Sequence, residues 1–278
     1  MWPDSRNKVI MKPELTWRQL IPISVTLLAM LCGFFSILVT MESMNDTLST
    51  AGMMHRWAAL LIMLAMILDG IDGNIARKLD GCTEIGAELD TYVDMTAFGI
   101  APAVLIYVVM LTGSAPQDSE RVFWRVAMTA VVVLSGVVRL ARFKAKDPSR
   151  GQRGYTGLPI TACAGWVAML VFISQSEPFG RYSLNTGWVA AIFLVGVLSF
   201  ITLQVSNVRY PKPTKHPALF IPMVIMVGIL FGPQKIAVPA AVFMIVMVFG
   251  YICFGPLYLR HAERRAALAA SPDTSTEG

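Results

Sequence analysis

Apolar residues in this chain come in long runs separated by short polar segments. Eight runs stand out, at roughly 20–41, 57–76, 85–112, 122–140, 157–174, 187–206, 218–233 and 236–258. Most approach the roughly twenty residues that a helix needs to cross a bilayer's hydrocarbon core. The seventh is short and flanked by Pro217 and Pro233. Lipid offers no water to an open backbone, so every run is expected to be helical. The pattern predicts an all-α integral membrane protein of about eight transmembrane helices. Residues 1–265 read as a single polytopic membrane domain, and 266–278, small and polar, as a flexible C-terminal tail. The polar start and the length of the first run argue against a cleavable signal peptide. Pro13 to Gln19 is expected to lie along the membrane interface.

Composition agrees with this reading and adds an orientation. Of 278 residues, 55% are hydrophobic and 15% charged, where a soluble domain carries about a quarter charged. That excludes a disordered chain, a nucleic-acid binder built on basic stripes and a disulfide-stapled secreted domain. With the connections assigned alternately to two sides, one side receives only Arg56, Arg121, Arg125, Arg181 and Lys235, leaving 18 of the 23 Lys and Arg on the other. The positive-inside rule makes the basic side cytoplasmic, with both termini there. The net charge of +5 is thus a topology signal, and basic loops near anionic headgroups account for most of it. Cys32, Cys82, Cys163 and Cys253 show no zinc or disulfide spacing and read as small core residues. The three histidines receive no role.

The acidic residues break the apolar pattern. Seven of the 18 lie between residues 69 and 94: Asp69, Asp72, Asp80, Glu84, Glu88, Asp90 and Asp94. Asp69 and Asp72 are spaced i, i+3 near the end of the second run; Asp90 and Asp94 are i, i+4 early in the third. At about 100° per residue, Asp69, Asp72, Gly73 and Ala76 share an arc of about 100°, and Gly86, Asp90, Asp94 and Ala97 one of about 80°. An antiparallel fold about Asp80-Gly81-Cys82 sets Asp72 opposite Asp90 and Asp69 opposite Asp94, about 12 Å below the cytoplasmic surface. Four converging carboxylates repel one another and are costly to desolvate. Arg77 and Lys78 are too little to balance them. One or two hard divalent cations, Mg²⁺, Mn²⁺ or Ca²⁺, fit better. Small residues beside the acids leave room for a ligand. A metal, a phosphate and a lipid-facing cavity suggest phosphoryl transfer at a cytoplasm-facing metal site between helices 2 and 3. A satisfied polar contact or a proton or ion relay is the simpler alternative. Asp80, Glu84 and Glu88 read as solvated or accessory.

These residues also form a signature. Asp69-Gly-Ile-Asp72-Gly73-Asn-Ile-Ala76-Arg77, eight residues, Gly86, three residues, Asp90, three residues and Asp94 match D-x2-D-G-x2-A-R-x8-G-x3-D-x3-D at every fixed position. The stretch resembles the CDP-alcohol phosphotransferases. The resemblance implies two divalent ions, Mg²⁺ or Mn²⁺, bound by Asp69, Asp72, Asp90 and Asp94, with Asp94 doubling as general base. It implies that Gly73, Ala76, Arg77 and Gly86 line the site for the CDP-linked lipid. The acceptor alcohol would attack the β-phosphorus and release CMP.

Three further segments are similar to the bacterial and archaeal branch that uses CDP-diacylglycerol and serine: Leu31-Cys32-Gly33-Phe34, Ala97-Phe98-Gly99-Ile100-Ala101-Pro102-Ala103, and Arg139-Leu140-Ala141-Arg142-Phe143 followed by Gly157-Leu158-Pro159. Two positions depart from that branch. Its Pro-Asn with a Thr three residues later is Pro22-Ile23-Ser24-Val25-Thr26 here, and its Phe-Asn is Phe143-Lys144. The resemblance implies transfer of a phosphatidyl group to the serine hydroxyl in a prokaryotic cytoplasmic membrane, by a homodimer. Arg139 and Arg142 are candidates to hold the acceptor's anionic group. Glycerol phosphate, inositol phosphate and choline are the alternative acceptors; a phosphorylated one could use Lys144, Lys146, Arg150 and Arg153. An ion-coupled transporter is the alternative of a different class. It calls for acids at the midplane of inverted repeats, and no second acidic hairpin occurs between residues 120 and 258.

Overall fold

The computed structural model describes residues 16–45, 48–111, 119–146, 155–177, 184, 187–210 and 217–270. The architecture is helical apart from one pair of two-residue strands among these residues. A helix stands at each of the eight expected runs. Six are long and apolar enough to cross a membrane, and Ile160–Ser174 and Ile221–Leu230 are shorter.

Helix α1 (Trp17–Glu42) starts at Thr16, whose backbone N–H donates to Gln19 Oε1 at 3.1 Å. Pro22 lies inside it and has no N–H to offer the carbonyl four residues back, that of Arg18. Helix α2 (Leu48–Lys78) returns antiparallel to α1, and Ser36 Oγ donates across the pair to the Ala58 carbonyl at 2.9 Å. Ala58, Ala59 and Ala65 on α2 are fully buried. Such small side chains let helix backbones approach closely in a membrane. Buried His55, on α2, meets Ser43 Oγ through Nε2 at 2.9 Å.

The turn after α2 ends the helix in a defined way. Asp80 takes φ 51°, and the Gly81 N–H returns to the Ala76 carbonyl at 2.9 Å. This is the 6→1 bond of a left-handed helix end. A Cβ on Gly81 would strike the Arg18 carbonyl, the group that Pro22 leaves without a helical partner. Thr83 then caps α3 (Glu84–Val93), accepting the Gly86 N–H at 2.9 Å. The chain continues without a break through a π-helical segment, Asp94–Ile100, into α4 (Ala101–Leu111). The Ala101 N–H bonds to the Thr96 carbonyl, five residues back. Pro102 follows directly and has no N–H for the Phe98 carbonyl. Ala97 lies against α1, where a Cβ on Gly33 would come 2.6 Å from Ala97 Cα.

Helices α5 (Ser119–Lys146), α6 (Ile160–Ser174), α7 (Gly187–Val205), α8 (Pro217–Leu230) and α9 (Gln234–Ala270) complete the bundle. At about 22 Å, α6 is shorter than a bilayer core is thick. Most of its side chains are buried, and it packs on α2, α4, α7 and α9. The indole of Trp166 stacks on Phe200 at 5.4 Å across Gly196 of α7. Strands β1 (Tyr155–Thr156) and β2 (Arg209–Tyr210) tie the connection before α6 to the one after α7. Helix α9 runs to Ala270, into the stretch read as a tail from residue 266; residues 271–278 lie outside the described residues. Cys32 and Cys163 are core residues as expected, whereas Cys82 and Cys253 are exposed.

Candidate active site

The acidic hairpin folds so that carboxylates from two helices meet. Asp69 and Asp72 sit on the last turns of α2, and Asp90 on α3 across the Gly81 turn. One oxygen from each of these three lies within 4.8 Å of the others. Asp72 is buried, Asp69 half-buried and Asp90 exposed. Three anionic oxygen ligands at this spacing, from two rigid helices, fit a hard divalent cation of the Mg²⁺ or Mn²⁺ kind.

Thr26 fixes the buried member. Its Oγ1 lies 2.5 Å from Asp72 Oδ2 and 2.9 Å from the Pro22 carbonyl. Hydroxyl support of this sort orients a ligating carboxylate and leaves its second oxygen for the ion. Thr26 is not marked by the spacing of the acids. Its only trace in the sequence is the Pro22 to Thr26 segment, where the threonine is kept and the asparagine is not.

Asp94 stands outside the trio, the cluster of three that the structure brings together among the described residues. It is the first residue of the π-helical segment, and its Oδ2 lies 3.6 Å from Nη1 of Arg139. Arg139 is buried, and its guanidinium also lies 5.7 Å from the Phe143 ring. Hairpin symmetry treats Asp69 and Asp94 as a facing pair at one depth. It cannot see a basic partner arriving from α5.

Arg142 turns elsewhere. It donates Nη1 to the Val205 carbonyl and Nη2 to Asn207 Oδ1 at 2.7 Å, both at the end of α7. Lys144 pairs with Glu88 at 2.7 Å on the exposed rim. The side chain of Lys146, and Arg150 and Arg153, lie outside the described residues.

The other signature residues frame the hairpin's mouth. A Cβ on Gly73, next to Asp72, would meet nothing closer than the Arg77 guanidinium at 3.6 Å. Arg77 Nη2 donates to Asn74 Oδ1 at 2.7 Å, which lays the charged head along the helix. Ala76 is half-buried. At Gly86 a Cβ would come 3.0 Å from Thr83 Oγ1, so glycine here also keeps the α3 cap compact. The arrangement offers one cation-binding trio, a separate carboxylate facing a guanidinium, and an arginine beside small residues where a phosphate could approach.

Comparison with known proteins points the same way. The family model described as CDP-alcohol phosphatidyltransferase matches residues 19–198. The chain is similar to the CDP-diacylglycerol–serine O-phosphatidyltransferase of Helicobacter pylori, 31% identical over 177 residues, covering 63% of this chain and 70% of the relative. The protein of that name from Mycobacterium tuberculosis is 26% identical over 247 residues, 87% of this chain and 79% of the relative. The archaetidylserine synthase of Methanothermobacter thermautotrophicus is 31% identical over 183 residues, 65% of this chain and 64% of the relative.

Proposed function

This chain belongs to the CDP-alcohol phosphatidyltransferase family, and from that premise we propose that it transfers the phosphatidyl group of CDP-diacylglycerol to the hydroxyl of serine, releasing CMP. The observation that carries the reading is the carboxylate trio of Asp69, Asp72 and Asp90 beside the facing pair of Asp94 and Arg139. The relatives support serine as acceptor. Their names differ in the lipid, phosphatidyl or archaetidyl, and agree on serine.

Asp69, Asp72 and Asp90 would hold the divalent cation, with Asp94 at its edge. A bound ion supplies charge neutralisation for the pyrophosphate and the leaving CMP. Arg77, over Gly73, faces the phosphates as they enter between α2 and α3. Asp94 accepts the proton of the serine hydroxyl. The serine oxygen forms a new bond to the β-phosphorus as the bond from that phosphorus to the bridging oxygen of CMP breaks. Arg139 meets the serine carboxylate. A guanidinium has five donors and can face Asp94 and a second carboxylate together. Carboxylate and hydroxyl lie close together on serine, which suits a base and an arginine 3.6 Å apart. A phosphorylated acceptor needs further basic groups, and Lys144 is already engaged with Glu88. The transporter reading falls with membership of an enzyme family.

Purified protein is to be given CDP-diacylglycerol, Mg²⁺ or Mn²⁺, and in turn serine, glycerol phosphate, inositol phosphate and choline, with CMP measured. Release is expected with serine. Asp69→Asn and Asp94→Asn should each abolish it while leaving the protein in the membrane. Release with a different acceptor defeats the serine assignment, and none with any acceptor defeats the transfer reaction.

A further inference from the structure

Two arginines less than a turn apart on α5 have different partners. Arg139 faces Asp94; Arg142 holds the end of α7 through the Val205 carbonyl and Asn207 Oδ1. One turn before Arg139, Ser135 Oγ lies 3.1 Å from Oε1 of Gln204, and both residues are buried. Ser135, Arg139 and Arg142 are spaced i, i+4, i+7 and so share one face of α5. The end of α7 therefore grips α5 on both sides of Arg139.

The grip has a physical basis. Val205 is the last residue of α7, and the last four carbonyls of a helix have no partner within it. A guanidinium placed there satisfies one of them and complements the negative end of the helix dipole. The α7 end is itself anchored. Leu158 N–H donates to the Leu203 carbonyl at 3.0 Å and Gly157 N–H to the Val208 carbonyl at 2.7 Å. On a neighbouring face α5 packs at Gly136, where a Cβ would lie 2.8 Å from Ile160 Cδ1 of α6 and 3.9 Å from Gly99 Cα of the π-helical segment. The distance from Arg139 to Asp94 is thus set by how α5 is clamped between that segment and α7.

We propose that Arg142 and Asn207 form a positioning latch, fastening α5 to the end of α7 and so aiming Arg139 at Asp94, and that Arg142 does not itself touch the acceptor. This rests on the reading that Arg139 meets the carboxylate of serine. Arg142 and Asn207 are positioning residues, and their effect passes through Arg139.

The latch is tested by CMP-release kinetics of Asn207→Ala, Arg142→Ala and the double variant, each also made in an Arg139→Ala background. Asn207→Ala is expected to raise the KM for serine about three- to tenfold, the scale of one lost hydrogen bond felt through Arg139, with the KM for CDP-diacylglycerol unchanged. Arg142→Ala, which also loses the Val205 contact, should do at least as much, and the double variant should be no worse than Arg142→Ala, because partners in one contact are not additive. In the Arg139→Ala background Asn207→Ala should add nothing. Normal serine kinetics for Asn207→Ala beside a raised KM for Arg142→Ala would leave Asn207 no part in aiming Arg139, and would overturn the latch. So would an undiminished Asn207→Ala effect without Arg139. A second arm needs no activity: amide hydrogen exchange of the full protein in detergent, read over the last turns of α5 and α7. Asn207→Ala should speed exchange there severalfold, and unchanged exchange overturns the latch even if serine proves to be the wrong acceptor.

Discussion

At the scale of single residues, one hydroxyl does more for the candidate site than its position suggests. Thr26 is the contact between α1 and the acidic hairpin that reaches a carboxylate directly, at 2.5 Å from Asp72 Oδ2. Asp72 is the most buried of the trio, so water cannot easily replace a lost partner there. Thr26→Val keeps the shape and removes the donor. The concentration of Mg²⁺ or Mn²⁺ needed for half-maximal CMP release should rise at least about tenfold, the usual effect of losing a group that orients a metal ligand. Thr26→Ser should restore most of it. An unchanged metal requirement in Thr26→Val would reduce the residue to packing. The four aspartates were legible from spacing alone, because i, i+3 and i, i+4 acids in an apolar run stand out against lipid. Thr26 was not, because a threonine in an apolar helix usually bonds its own backbone, and the Pro22 carbonyl lies within reach of this one at 2.9 Å.

At the scale of elements, close approaches rather than specific contacts hold the site's frame. Gly33 on α1 and Ala97 on the π-helical segment meet backbone to backbone, and Gly81 sits on the carbonyl that Pro22 frees in α1. Gly33→Ala adds a methyl that would lie 2.6 Å from Ala97 Cα, so either α1 or the segment must shift. Overpacking of that kind costs about 1–3 kcal/mol. A lowered thermal midpoint in detergent, with CMP release reduced at temperatures below it, is the expected outcome; an unchanged midpoint would show that the two elements separate freely. Helix ends and runs could be read locally, from Thr83, from the polar turn at Asp80 and Gly81, and from run length. The π-helical winding from Asp94 to Ile100 could not. Its apolar pattern is that of an ordinary helix, and the wider winding lies just before Pro102, which withholds a donor, where α1 packs on Ala97 and α5 and α6 pack on Gly99.

At the scale of the whole molecule, the membrane explains the order of the helices and the surface they present. Large apolar side chains stay exposed along α1, α5, α7 and α9, among them Leu28, Leu134, Val195 and Val246. Lipid is their expected solvent. Helix α6 needs no full span because other helices surround it. By the positive-inside rule, the excess of Lys and Arg on one side leads us to expect both termini and the carboxylate trio on the cytoplasmic face. An alkaline phosphatase fusion at the C-terminus should therefore be inactive, and one inserted between residues 112 and 118 active. The reverse pattern would put the site on the outer face and away from cytoplasmic CDP-lipid.

Local physics made much of this readable along the chain. Lipid demands length, apolarity and an internally bonded backbone from each span separately, so the apolar runs and their helical state need no knowledge of neighbours. The carboxylates betray a site for the same reason, since each is costly where it stands. Which groups meet is a different matter. That Asp69, Asp72 and Asp90 converge while Asp94 faces Arg139, and that Arg142 bonds the end of α7, follows from how helices distant in sequence are rotated and clamped against one another. No single run encodes that rotation; it is settled by small-residue contacts such as Gly33 with Ala97 and Gly136 with Gly99, which have meaning only once both helices are in place.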